Sequence, residues 1–157
     1  GILRLTIAPA QNIPKSLQKK AEEYMHSLIN EMDHVGVMTL ELFDSSDELI
    51  VNEIAPRVHN SGHWTIEGAQ TSQFENHIRA ITNSPLGATS IKSSYNAMIN
   101  IIGMHGQTSK VLETKNAHLH LYDKEERKGR KLGHITLTSN SKEELNKSID
   151  SLKEYLL

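Results

Sequence analysis

Apolar and polar positions along this chain change period several times, and each change marks an element. Residues 2–8 half-alternate, with Leu5 and Ile7 set against Arg4 and Thr6, and predict an opening strand. Asn12-Ile13-Pro14 predicts a helix start, because proline suits a first helical turn. Leu17, Ala21, Tyr24, Leu28 and Met32 follow at intervals of three and four, with Met25 and Ile29 widening the stripe, so this face is expected to be core. Asp33-His34-Val35-Gly36 closes the helix. Two apolar runs, 37–43 and 49–55, flank Asp44-Ser45-Ser46-Asp47-Glu48 and predict a β-hairpin. A second helix is expected from Ser72, where Ser72 and Glu75 form a capping box, with Phe74, Ile78 and Ile81 on its buried side and Asn83-Ser84-Pro85 as its stop.

Periodicity lapses over 86–94, which suggests a boundary between residues 1–86 and a smaller C-terminal domain, 87–157. That second part reads as strands at 97–102, 118–122 and 132–137. A last helix starts at the capping box Ser141 and Glu144, with Leu145, Ile149, Leu152 and Leu156 along one edge. The fold class is α+β: antiparallel strands with helices on one face, followed by a small mostly-β domain. The chain opens without Met and almost inside a strand, so it is expected to be a piece of a longer polypeptide.

Composition narrows the classes. At 157 residues, 37% hydrophobic and 23% charged, the chain has enough apolar content for a core. A net charge of −2 creates no field that would recruit nucleic acid or an anionic membrane. Cysteine is absent, which removes disulfides and thiolate metal sites and is compatible with a cytoplasmic location. No apolar run approaches the roughly 20 residues that span a bilayer.

The hairpin carries the first candidate chemistry. If it folds about its middle, Glu41 and Glu53 face each other across two strands, an arrangement that is destabilising for like charges unless a cation sits between them. Two carboxylates beside the Asn52 amide suit magnesium, a hard ion that shares its shell with phosphate oxygens. A merely solvated hairpin face is the competing reading. The second strand runs into Arg57, His59, Asn60 and His63, a guanidinium, imidazoles and an amide that suit a planar oxyanion. Further on, Tyr122-Asp123-Lys124-Glu125-Glu126-Arg127-Lys128-Gly129-Arg130-Lys131 is a basic loop, fit for a phosphate monoester or simply solvated. His118 and His120 share a strand face; with no third donor nearby they read as structural. Trp64 is expected to anchor the loop after the anion clamp.

The run Asn52-Glu53-Ile54-Ala55-Pro56-Arg57-Val58-His59-Asn60-Ser61-Gly62-His63-Trp64-Thr65 closely resembles the signature of the 5-(carboxyamino)imidazole ribonucleotide synthases, ATP-grasp enzymes of purine biosynthesis. The basic loop, through Gly133-His134, resembles a run near the C-terminus of the same family. The resemblance covers the whole chain but only the C-terminal portion of the enzyme. It implies a ligase that uses ATP and magnesium to activate bicarbonate as carboxyphosphate and to carboxylate aminoimidazole ribonucleotide, and that forms a homodimer. By the same resemblance, Glu41 and Glu53 hold magnesium and Asn52 with Glu53 meets the nucleotide. Arg57, His59 and Asn60 cradle bicarbonate as candidate catalytic residues, with Lys124 near them. Lys124 and Arg130 hold the ribose phosphate. No Gly-rich phosphate loop or adenine-binding segment occurs in this chain, so the expected contribution is one wall of an active site. Another ATP-grasp ligase and a non-catalytic binding module are the alternatives.

Overall fold

A computed structural model describes residues 2–45 and 48–157. In chain order the elements are β1 (Leu5–Ala8), α1 (Lys15–Glu31), β2 (Thr39–Ser45), β3 (Glu48–Ala55), α2 (Thr65–Gly68), α3 (Gln73–Ile81), β4 (Tyr95–Ile102), α4 (Thr108–Glu113), β5 (Ala117–Leu121), β6 (Lys131–Ser139) and α5 (Lys142–Ser151). Short 3-10 turns occupy Asn60–Gly62 and Lys153–Leu156. The expected α+β architecture is the one adopted, with every strand pair antiparallel. Ser46 and Asp47, at the centre of the hairpin turn expected from sequence, lie outside the described residues.

Four strands form one sheet in the order β1-β4-β6-β5, which takes β1 from before residue 86 and the rest from after it. Side chains alternate across a strand, so the two faces of this sheet have separate compositions. Odd positions of β4 (Ala97, Ile99, Ile101) and Ile135 and Leu137 of β6 join Val111 of α4, Leu145 and Ile149 of α5, Leu152 and Tyr155 in one buried apolar cluster. Burying each large aliphatic side chain contributes about 1.5–3 kcal/mol. The opposite face carries Asn96, Asn100, His134 and Thr136, all nearly inaccessible. A buried polar face is stable only when its groups find partners. Residues 57–69 run across it and supply some of them: Asn60 pairs with Asn100 and Glu67 with His120, while the Asn96 amide donates to Ala8 O and Ser93 O and His134 Nδ1 pairs with Tyr122. Gly68 passes so close to Asn96 that a Cβ there would lie 2.5 Å from its Oδ1. The segment 86–94 ties this crossing down, through Gln70 N–H to Ser90 O (2.8 Å) and Lys92 N–H to Gly68 O (2.7 Å).

Helix ends follow the sequence closely. Ser72 Oγ accepts from Glu75 N–H and Ser141 Oγ from Glu144 N–H, the N-cap half of each expected capping box, while the Glu75 and Glu144 carboxylates pair with Arg79 and Ser139 instead. After α1 and α3, Asp33 and Asn83 take left-handed φ values of 45° and 55°, which short polar side chains tolerate.

Helix faces depart from expectation. The stripe of α1 is mostly half-covered: Leu17 alone on it is buried, and Met32 is 51% exposed. In α3 the buried residue is Asn76, whose amide exchanges hydrogen bonds with Gly87 N–H and O, while Ile78 and Ile81 face outward. The turn 82–89 folds back over the polar side of α3, and that local pairing outweighs the apolar stripe. The short helices α2 and α4 carry too few turns for periodicity to reveal them.

Candidate active-site cleft

Glu41 and Glu53 are cross-strand partners in the hairpin, as expected. The register shifts between Glu41 and Leu42, so Asn52 is the extra residue of a β-bulge. Bulges re-aim side chains. Here the Asn52 amide donates to Glu41 Oε2 at 3.2 Å. Between the carboxylates sits His59, only 7% exposed. Its Nε2 donates to Glu53 Oε1 at 2.9 Å, and its Nδ1 lies 3.6 Å from Glu41 Oε1 and 2.8 Å from Ser61 Oγ. One ligand atom from each of Glu41, Glu53 and His59 lies within 4.8 Å of the others. The like-charge pair read from sequence is therefore bridged by an imidazole. Two carboxylates, one amide oxygen and open access to water make a donor set that fits magnesium.

The sheet supplies the opposite wall. Asn60 and Asn100 exchange amide hydrogen bonds of 2.9 and 2.6 Å, and Asn100 Nδ2 also donates to Leu3 O at 2.9 Å. Lys131, at the start of β6, donates from Nζ to Asn60 Oδ1 at 2.9 Å. Partial burial lowers the Lys131 pKa, while the Glu41 and Glu53 carboxylates oppose that shift. The basic loop brings Lys124 and Arg130 to the same place. It is held by Glu126, whose Oε1 accepts from His105 N–H at 2.7 Å, a contact that keeps this exposed carboxyl below its ordinary range.

Two runs 60 to 70 residues apart in sequence thus share one cleft of about 530 Å³, lined by Glu41, Asn52, Glu53, His59, Asn60, Lys124, Arg130 and Lys131. Arg57 stands apart: it is exposed, outside this lining, and donates to Val58 O at 2.9 Å. A second cavity of about 370 Å³ beside Trp64 and Leu86 is lined by no titratable side chain among the described residues, and it lacks the means for acid-base or ionic chemistry.

Behind the cleft lies a layer of imidazoles. His134 stacks on His120 with centroids 4.4 Å apart and accepts a 2.7 Å contact from Tyr122 Oη. His63 lies 5.3 Å from His134. Burial is the main cause that holds His63 at about 4 and His134 at about 3, so both are neutral near pH 7. Burial likewise pushes Tyr122 up to about 12. Of the pair His118 and His120, only His120 joins this layer, bonded to Glu67 Oε1 at 2.8 Å; His118 is exposed. His63, read from sequence as part of an anion clamp, instead belongs to the buried layer.

Lys131, Asn100, Ser61 and Gln73 escaped the sequence reading. An Asn inside the apolar run 97–102 was a visible signal for Asn100, and Lys131 lay within the quoted basic loop. Nothing in spacing pointed to Gln73.

Comparison with known proteins places this arrangement in a class. Residues 1–74 match the ATP-grasp domain, and residues 96–148 match the phosphoribosylaminoimidazole carboxylase C-terminal domain. The N5-carboxyaminoimidazole ribonucleotide synthase of Vibrio cholerae is 43% identical over 97% of this chain and 40% of its own length. The crystal structure of N5-carboxyaminoimidazole ribonucleotide synthetase from Thermus thermophilus superposes with a TM-score of 0.94 at 50% identity, covering 99% of this chain and 43% of that one. The enzyme from Aspergillus clavatus, solved with ADP and 5-aminoimidazole ribonucleotide, gives a TM-score of 0.89 at 37% identity over 99% of this chain and 44% of that one. Over nearly its whole length the chain is similar to part of the N5-carboxyaminoimidazole ribonucleotide synthases. It spans about 40% of the length of the curated relatives it matches.

Proposed function

We propose that this chain forms one wall of the active site of an ATP-dependent ligase that carboxylates the amine of 5-aminoimidazole ribonucleotide. The observation that carries the reading is the convergence of Glu41, Glu53 and His59 with Lys124, Arg130 and Lys131 on one cleft. It is supported by that similarity and by the ADP and aminoimidazole ribonucleotide bound to the Aspergillus clavatus relative.

In this reaction bicarbonate oxygen attacks the terminal phosphorus of ATP, ADP leaves, and carboxyphosphate forms. The substrate amine then bonds to the carboxyl carbon, directly or through released carbon dioxide, as the carbon–oxygen bond to phosphate breaks and the amine loses a proton. Glu41 and Glu53, with Asn52, would hold magnesium, which when bound offsets charge on the nucleotide phosphates. Asn60 and Arg57 hold bicarbonate. Arg57 must first leave the Val58 carbonyl, a single hydrogen bond of an exposed side chain that water can replace. His59, with its Nε2 on Glu53, is placed to take the proton that the amine loses. Lys124 and Arg130 bind the ribose phosphate, and Lys131 adds a third cation beside them. A cytoplasmic homodimer is part of the same proposal; among the described residues no helix is long and apolar enough to cross a membrane.

The test is a chimera in which this chain replaces the matching part of the Thermus thermophilus relative. ADP release that requires bicarbonate and aminoimidazole ribonucleotide, and that Glu53→Gln abolishes, is the expected result. A folded chimera that cleaves ATP equally well without either substrate would refute the reading. The 157-residue chain alone is expected to release no ADP, because positioning supplies most of the catalysis in phosphoryl transfer and the sequence holds no phosphate-covering loop.

A further inference from the structure

His59 sits on a loop, and loops do not by themselves fix an imidazole to a few tenths of an ångström between two carboxylates. One side chain outside the cleft lining meets the backbone of this loop from both sides. Gln73, the first residue of α3, accepts from His59 N–H at Oε1 (3.0 Å) and donates from Nε2 to His59 O (2.7 Å). Its second Nε2 hydrogen goes to His63 Nδ1 at 2.9 Å. The carboxamide is therefore fully used, and rotating it by 180° would set its N–H₂ against the His59 N–H. Orientation is fixed by chemistry as well as by shape.

The rest of the clamp holds Gln73 in turn. Its own backbone N–H, one of the donors left unsatisfied at a helix start, goes to Thr65 Oγ1 at 3.0 Å. The Thr65 hydroxyl donates to Gly62 O at 2.6 Å, closing a ring of contacts over residues 59–65. Gly62 has no side chain for a clear reason: a Cβ there would lie 2.7 Å from Gln73 Oε1. Ser72 caps α3 and sets the position of its first residue.

We propose that Gln73 is the positioning residue for His59, a carboxamide clamp that seats the imidazole between Glu41 and Glu53 while touching neither carboxylate. The inference rests on the reading of His59 as an active-site group. The same carboxamide fixes the tautomer of the neutral His63, whose Nδ1 offers its lone pair to Gln73 Nε2.

Histidine-selective ¹⁵N spectra of the chain, recorded without nucleotide or metal near pH 7, test this. In the native chain the two His59 ring nitrogens should give sharp, distinct resonances, because one faces Glu53 and the other Ser61. In Gln73→Ala the two His59 resonances should collapse toward their average, while the pair His120 and His134 keeps its native pattern and reports an intact sheet. Gly62→Ala, which displaces the carboxamide without removing it, should change His59 in the same direction. Unchanged His59 resonances in Gln73→Ala, with only His63 altered, would overturn the proposal. If Gln73→Ala loses the His134 pattern and so fails to fold, Gln73→Glu decides. That variant keeps the acceptor for His59 N–H but not the donors, so His59 must broaden or shift, and native resonances there would overturn the clamp.

In the chimera, Gln73→Ala should lower kcat between about 10- and 100-fold, as misplacing a reacting group does. The KM for aminoimidazole ribonucleotide should hold, since Lys124 and Arg130 stand on other elements. The ring spectra need no turnover, so a failed clamp and a failed assignment of the reaction are separate results.

Discussion

Along β3 Ala55 alone is buried, whereas along β4 every residue from 96 to 101 is. β3 lines the cleft with Asn52 and Glu53, while β4 lies behind it, its buried Asn100 holding Asn60. The hairpin presents Glu41 and Glu53 with side chains 32% and 52% exposed. Under the proposed function, exposed carboxylates can exchange ligands with water, as a metal shared with a departing nucleotide would require. The sheet presents Lys131, braced by the Asn60 amide, on a floor fixed by buried Asn100 and backed by neutral imidazoles. Groups that recognise a fixed phosphate gain from being held still. In the proposed function, exposure at the hairpin and rigidity at the sheet would serve different halves of one site.

The comparison breaks first at the core. Ile135→Ala, at a fully buried position of β6, should cost about 2–5 kcal/mol in urea denaturation. Ile50→Ala in the hairpin, where the side chain is 50% exposed, should cost within about 0.5 kcal/mol. Equal losses would mean that the hairpin contributes to the core after all.

Acid should loosen the sheet side next. His63 and His134 are held at about 4 and about 3 against an ordinary value of 6.5. Between those values the unfolded chain binds protons that the folded chain excludes. Stability is therefore present above about pH 6.5 and should fall by ~2 kcal/mol per pH unit between about 6.5 and 5, the two imidazoles together. Urea midpoints at pH 7, 6 and 5 measure this, and a flat profile would contradict the burial of neutral imidazoles.

A small effect on folding should also come from Glu41→Gln and Glu53→Gln. Each removes a charge from an exposed like-charge pair and should change stability by less than about 1 kcal/mol in thermal melts. Loss of the fold in either variant would show that the carboxylates are structural.

Sequence showed the hairpin, its facing carboxylates, both capping boxes and the strands of the sheet, because local periodicity and turn chemistry determine them. It misread α3, where pairing between Asn76 and Gly87 buried the polar side and left Ile78 and Ile81 outside. It misplaced His63 for a related reason: whether an imidazole faces a cleft or a sheet depends on the path of 57–69 over β4 and β6, which no local pattern encodes. Gln73 was invisible because its three partners lie 10 to 14 residues away across a turn.

The division of labour between the two walls is most directly tested by steady-state kinetics of the chimera carrying Glu53→Gln, Arg57→Ala or Arg130→Ala. Arg130→Ala should raise the apparent KM for aminoimidazole ribonucleotide about 10- to 100-fold with kcat little changed, as loss of one charged ground-state contact does. Glu53→Gln should cut kcat and weaken magnesium-ATP use without altering that KM, and Arg57→Ala should impair bicarbonate-dependent ATP cleavage even when the ribonucleotide is absent. The same kinetic defect in all three variants would contradict the assignment of metal and bicarbonate to one wall and phosphate to the other.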